Sequence, residues 1–258
     1  EAKLFEDGLA AQAAPAPKTP PIGGVSPAAA TGTLAERIVA AMERRGCTIA
    51  RGPNEANIVY VEGMDPDGTP NANRPNGFDD ARFVIVFQSG VPVIAGAWEA
   101  TTEPGKLYTE RPLSNLGAAR IAHGQQRCWQ VGIHHAGKAS AHEALVQTGA
   151  EVTVFRDGNR DYRRDGDGTE TGWFWINEHH GYDYPRNDIK GASAGCLVGR
   201  STAGHREFMA LVKRDPSWRA DPKFIFRTTI LPAAEVTATA VAAPTTKGRT
   251  ATAGAAAA

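Results

Sequence analysis

Neither sign of charge predominates in this chain: 28 lysines and arginines stand against 28 aspartates and glutamates in 258 residues. That balance leaves no electrostatic footprint for nucleic acid or an anionic membrane surface. No apolar run approaches the roughly 18–20 residues that cross a bilayer as a helix, and at 41% hydrophobic and 22% charged the composition is that of an ordinary soluble globular protein. Cysteine is scarce. Cys47, Cys128 and Cys196 are too few for a disulfide scaffold, and their odd number leaves at least one thiol free even if two pair. No repeat of 20–50 residues is visible. The residues after Glu1 contain no basic stretch followed by an apolar one, so no compartment is legible at the N-terminus.

What is present falls into three parts. Residues 1–32 are rich in Ala, Pro and Gly, as are residues 237–258 with added Thr; such composition buries too little apolar surface to offset chain entropy and reads as an extended arm and a tail. The segment 33–236 between them is the candidate catalytic domain. It opens on Thr33-Leu34-Ala35-Glu36, a capping box ahead of apolar Leu34, Ile38 and Met42, with a stop at Gly46. Strand-like runs follow at 57–62, 82–87 and 91–98, the last two joined by Gln88-Ser89-Gly90 as in a hairpin, and again at 128–133, 151–155, 172–177 and 224–231. Residues 204–214 have helical spacing. The expected fold is mixed and β-rich with a few short helices.

The chemistry concentrates near Cys196. A thiol becomes a competent nucleophile when a histidine or backbone N–H groups stabilise its thiolate. Here His179-His180-Gly181 precedes Ser193-Ala194-Gly195-Cys196, with sixteen positions from His180 to Cys196. The small residues Ala194 and Gly195 allow a tight turn that could aim the N–H groups of Gly195 and Cys196 at a developing oxyanion. Either His179 or His180 could be the base, because a one-residue shift of register exchanges the two faces of a strand; spacing and the His-Gly pair favour His180. Trp173 and Trp175 alternate with Phe174 and Ile176, a pattern that suits sheet packing or an aromatic wall for a glycan.

The pair His180-Gly181 followed by Ser193-Ala194-Gly195-Cys196 resembles the signature of the L,D-transpeptidases with a YkuD-type catalytic domain. Thr102-Glu103-Pro104-Gly105-Lys106-Leu107-Tyr108 is similar to that family's Thr-Pro-x-Gly-x-aromatic segment. The resemblance implies a β-sandwich-like domain and a thioester between Cys196 and a peptidoglycan stem peptide. It further implies that His180 takes and returns the proton, that Ser193 supports the site, and that the Gly195 and Cys196 amides hold the oxyanion. It needs no cofactor, and it places the protein in the periplasm, outside the cell or on a phage particle. The family often has arginine two positions after the cysteine, where this chain has Val198; the nearest arginine, Arg200, is then the candidate for the substrate carboxylate.

Two other readings stand beside this one. His134, His135 and His142, with His179 or His180 and Glu143 or Glu178, could make a zinc amidase or peptidase, although no H-E-x-x-H spacing is present. A non-catalytic wall-binding or structural module, tethered by its Pro/Ala-rich arms, would leave Cys196 a buried structural thiol, the role also expected of Cys47 and Cys128. His123 and His205 read as surface residues, and Asp157-Gly158-Asn159-Arg160-Asp161 as a polar turn rather than a calcium loop.

Overall fold

The computed structural model describes residues 31–238; the arm up to residue 30 and the tail beyond residue 238 lie outside the described residues. Helix α1 spans Leu34–Arg44 because its ends are chemically marked. Glu36 donates its backbone N–H to the Thr33 hydroxyl at 3.3 Å, and Thr33 returns its own N–H to the Glu36 carboxylate at 2.7 Å. Its face of Ile38, Val39, Ala41 and Met42 is buried on the first strands.

Strand β1 spans Asn57–Glu62, β2 spans Asp80–Gln88 and β3 spans Val91–Thr101. All six residues of β1 are buried, because Val59 and Val61 meet α1 while Ile58 and Tyr60 point into the barrel. The β2–β3 hairpin turns through Ser89 and Gly90, both at positive φ (49° and 81°), the conformation a two-residue primed turn demands. After α2 (Lys106–Glu110) come β4 (Ala118–Ile121), β5 (Gly124–His134), β6 (His142–Gln147), β7 (Val152–Asp157), β8 (Gly168–Gly172), β9 (Glu178–His180) and β10 (Leu197–Gly199). Helices α3 (Thr202–Val212) and α4 (Pro216–Ala220), strand β11 (Phe226–Pro232) and helix α5 (Ala233–Thr237) complete the order. Among the described residues no helix is long and apolar enough to cross a membrane.

The β-rich class with a few short helices is as expected. Eight strands close into a barrel in the order β1-β11-β5-β6-β9-β10-β3-β2, and β4, β7 and β8 form a separate three-stranded sheet. The resemblance implied two facing sheets; here the three-residue strands β9 and β10 bridge β6 to β3 and close the ring. The core inside it includes Tyr60, Trp129, Leu145, Phe226 and, from α3, Phe208 and Met209.

Residues 172–177, expected as a strand, are mostly not one: β8 ends at Gly172 and the chain runs irregularly to Asn177. Trp175 sits at φ +60°, which a strand cannot contain. The freed backbone groups find side chains instead. Gln147 Oε1 accepts from the N–H of Phe174 at 3.2 Å and of Ile176 at 3.0 Å, and Trp129 Nε1 donates to the Ile176 carbonyl at 2.8 Å. The alternation survives without the strand: Ile176 is buried while Trp173 and Trp175 are 49% and 70% exposed, so these tryptophans are not sheet packing.

Candidate active site

Cys196 lies in the turn that feeds β10, opposite the irregular segment leading to β9. Leu197 N–H donates to the Asn177 carbonyl at 2.9 Å, which fixes the two strands one residue beyond the thiol. The turn is locked by Ser193, whose hydroxyl donates to the Cys196 carbonyl at 2.9 Å and accepts from Gly195 N–H at 3.1 Å. Ser193 is thus buried and holds the turn that carries Cys196. Gly195 has φ +134°, and a Cβ there would stand 2.8 Å from the Ala119 carbonyl oxygen; no other residue fits. The segment 102–108 docks beside this turn: Gly105 N–H donates to the Ser193 carbonyl at 2.9 Å, and Tyr108 lines the cleft.

The expected pair of oxyanion donors requires correction. The Gly195 N–H is committed to Ser193, whereas the Cys196 N–H has no acceptor among the described residues. The sulfur accepts from Asn177 N–H at 3.4 Å and donates toward the Trp175 carbonyl at 3.6 Å.

The choice between the two histidines also changes. His179 lines the cleft with Cys196, Trp175 and His134, whereas His180 does not line it and stacks on His142, ring centroids 3.6 Å apart. His179 stacks on His134, centroids 3.9 Å apart and planes within 12°. Its Nδ1 lies 2.8 Å from the His180 carbonyl oxygen, which can only accept, so Nδ1 carries the hydrogen and Nε2 is a free lone pair. His134 has the other tautomer. Asn177 Oδ1 accepts from Gln147 N–H, which orients the amide so that its Nδ2 donates to His134 Nδ1 at 3.0 Å.

Burial sets the protonation of this group. It pushes His179 well below the usual histidine value, with His134 adding to the depression, and lowers His134 to about 3 and His180 to about 4. It raises the Cys196 thiol to about 11, against the stabilising Asn177 N–H. At neutral pH the thiol and the imidazole that line this cleft are therefore both neutral, not a preformed ion pair.

A cleft of about 510 Å³ opens over Cys196, lined also by Ala119, Phe174, Trp175, Tyr182 and Arg156. Arg200 is not among its lining residues: it is ion-paired with Glu99 and reaches the Tyr184 carbonyl at 3.4 Å, so its candidacy for the substrate carboxylate is withdrawn. Sequence reading missed Arg156 and Asn177. Arg156 gave no local signal, being the charged end of the strand VTVFRD, and Asn177 acts on the sulfur through its backbone N–H and on His134 through its side-chain amide.

Six histidines, His134, His135, His142, His179, His180 and His205, come together, but mainly as stacked or edge-on rings rather than converging lone pairs. Among the described residues no group of three or more His, Cys, Asp or Glu side chains is placed to hold an ion. Glu143 binds Lys213 at 2.8 Å, and Glu178 is enclosed in the barrel, bonded to Tyr60 and Thr228. His205, expected at the surface, is buried between Arg82 (3.2 Å) and the Glu143 carbonyl (2.9 Å), since it shares the inward face of α3 with Phe208. His123 is half-buried against Glu62 at 2.7 Å. Cys47 and Cys128 are free, and burial raises both thiols. Asp157 accepts from the N–H groups of Asp161 and Tyr162 within the polar turn. No protein-family model matches the chain, and a search of curated proteins finds no match either.

Proposed function

We propose that this protein is a peptidoglycan-processing cysteine enzyme of L,D-transpeptidase type. The observation that carries the reading is that Cys196 and His179 line one cleft, with the His179 tautomer leaving Nε2 free to accept a proton. The resemblance of His-Gly followed by Ser-x-Gly-Cys gives the substrate class, a stem peptide, although the base proposed here, His179, stands one position before the histidine of that pair.

Because thiol and imidazole both start neutral, proton removal accompanies attack. The Cys196 sulfur bonds to the acyl carbon as His179 Nε2 takes the thiol proton, and the carbonyl oxygen becomes an oxyanion facing the Cys196 N–H. Collapse forms the thioester and breaks the C–N bond, and His179 returns the proton to the departing amine. An acceptor amine or water then attacks the thioester by the same route in reverse, giving a cross-link or a hydrolysed peptide. His134 stacks on His179 and keeps its ring plane, and exposed Trp175 offers a wall for the glycan or the stem.

The test is mass spectrometry of purified muropeptides after incubation with the protein, alone, with EDTA and after iodoacetamide. New cross-linked or trimmed species should persist with EDTA and vanish on Cys196 alkylation. Loss with EDTA and rescue by zinc would move the activity to a metal centre, and unchanged muropeptides would favour a wall-binding module.

A further inference from the structure

The cleft over Cys196 has an unusual charge inventory. Its lining contains no aspartate or glutamate, and His134 and His179 are held neutral. Arg156, at the end of β7 nearest the cleft, is its one permanently charged side chain. The side chain is only 11% exposed, and its guanidinium is fixed on several sides. Its Nε donates to Glu170 of β8 at 2.6 Å, its Nη1 makes a long 3.5 Å contact with the Gly117 carbonyl, and its carbon lies 4.5 Å from the centroid of the Phe174 ring. Nη2 has no hydrogen-bond partner among the described residues and is not among the fully buried atoms. A guanidinium oriented by one carboxylate and stacked on an aromatic ring loses little further entropy on binding an anion with its remaining edge.

We infer that Arg156 is a specificity residue of this cleft and receives a carboxylate of the acyl donor, a role that rests on the cysteine-enzyme reading for the identity of the donor. The separate three-stranded sheet thus has a function: β7 carries the anion receptor and β8 the Glu170 that aims it. The ligand class is a peptide with a carboxylate near the scissile amide, of which a stem peptide is one.

The experiment is calorimetric binding of a synthetic stem tetrapeptide, and of versions amidated at one carboxylate at a time, to Cys196→Ala protein with and without Arg156→Gln. Acylation of Cys196 by the same peptides is measured by mass in otherwise wild-type protein. One amidation should weaken binding about 10- to 100-fold, the range for a hydrogen bond to a charged group, and Arg156→Gln should erase that difference while still binding the amidated peptide. Arg156→Lys should retain part of the preference. Equal affinity for every peptide in the Arg156 protein, or a preference that survives Arg156→Gln, overturns the inference. A carboxylate preference in binding with no acylation of Cys196 would leave Arg156 in place and remove the cysteine mechanism instead, so the two failures are distinguishable.

Discussion

His179 Nδ1 donates its hydrogen to the carbonyl oxygen of the residue that follows it, His180, at 2.8 Å. One backbone carbonyl therefore does what a carboxylate does in many acid–base sites: it fixes the tautomer and aims the opposite nitrogen. A neutral acceptor does not stabilise an imidazolium as a carboxylate would, and burial depresses the ring further. His179 is suited to receive a proton briefly and to pass it on.

The base assignment predicts an ordering of two variants. His179→Ala should reduce acylation of Cys196 by at least the roughly 100-fold typical of a lost general base, and His180→Ala by much less, since its ring stacks on His142 outside the cleft lining. Single-turnover acylation followed by mass spectrometry measures both. The opposite ordering would return the role to His180.

That ordering shows where the sequence stopped being informative. The runs that became β1 and the β2–β3 hairpin were legible because apolar residues and a Ser-Gly turn encode them locally. Strands β9 and β10 have three residues each, too few for a period, and exist because β6 and β3 offer edges on either side. The choice of His179 over His180 depends on those two strands, so residue spacing could locate the pair but not decide within it. Arg156 reaches the cleft from a different sheet, a proximity set by tertiary packing alone.

Cys196→Ala should abolish turnover and leave the fold intact, since it removes one sulfur from a turn held by Ser193. In the wild-type protein, alkylation of Cys196 by iodoacetamide should be slow at pH 7 and accelerate as pH rises toward about 11, where burial places the thiol. Buried Cys128 should stay unmodified in the folded protein. Mass mapping of modified peptides across pH 6–10 reads both, and rapid, pH-independent alkylation of Cys196 would indicate a preformed thiolate.

Gly195→Ala places a methyl group 2.8 Å from the Ala119 carbonyl oxygen and 3.1 Å from Ile176 Cδ1 at a φ of +134°. Strain and overlap together should cost about 2–4 kcal/mol. Because the displaced backbone is the one that carries Cys196, acylation should fall further than stability does. Denaturant titration beside acylation rates measures the two; a variant of wild-type stability and rate would show that the turn is more tolerant than its contacts imply.

Acid acts on stability through two sets of buried groups of opposite sign, and the histidines are the destabilising set. His134, His142, His179, His180 and His205 all have lowered values in the folded protein, burial being the largest cause in each. In the unfolded chain each takes up a proton near pH 6.5. Below that pH the unfolded state binds more protons than the folded one, so stability is lost as pH falls from about 6.5 toward the folded values, which for His180 and His134 are about 4 and 3. For the deeply buried His179 and His205 the loss between pH 7 and pH 5 is on the order of 2 kcal/mol each; the half-exposed rings contribute less. Buried carboxyls act in the opposite direction: Glu178 is raised to about 7, and Asp80 and Glu103 are also raised, so each favours the folded state at lower pH. By the same linkage Glu178 alone gains about 2 kcal/mol over that interval, as much as one buried histidine loses, so the net slope is the balance of the two sets and the histidine share is read by removing one ring. Urea unfolding at pH 7 and pH 5 of the wild-type protein and of His205→Asn measures that share: on acidification the variant should lose about 2 kcal/mol less stability than the wild type, or gain that much more. The same pH dependence in both proteins would show that His205 holds a proton in the folded state.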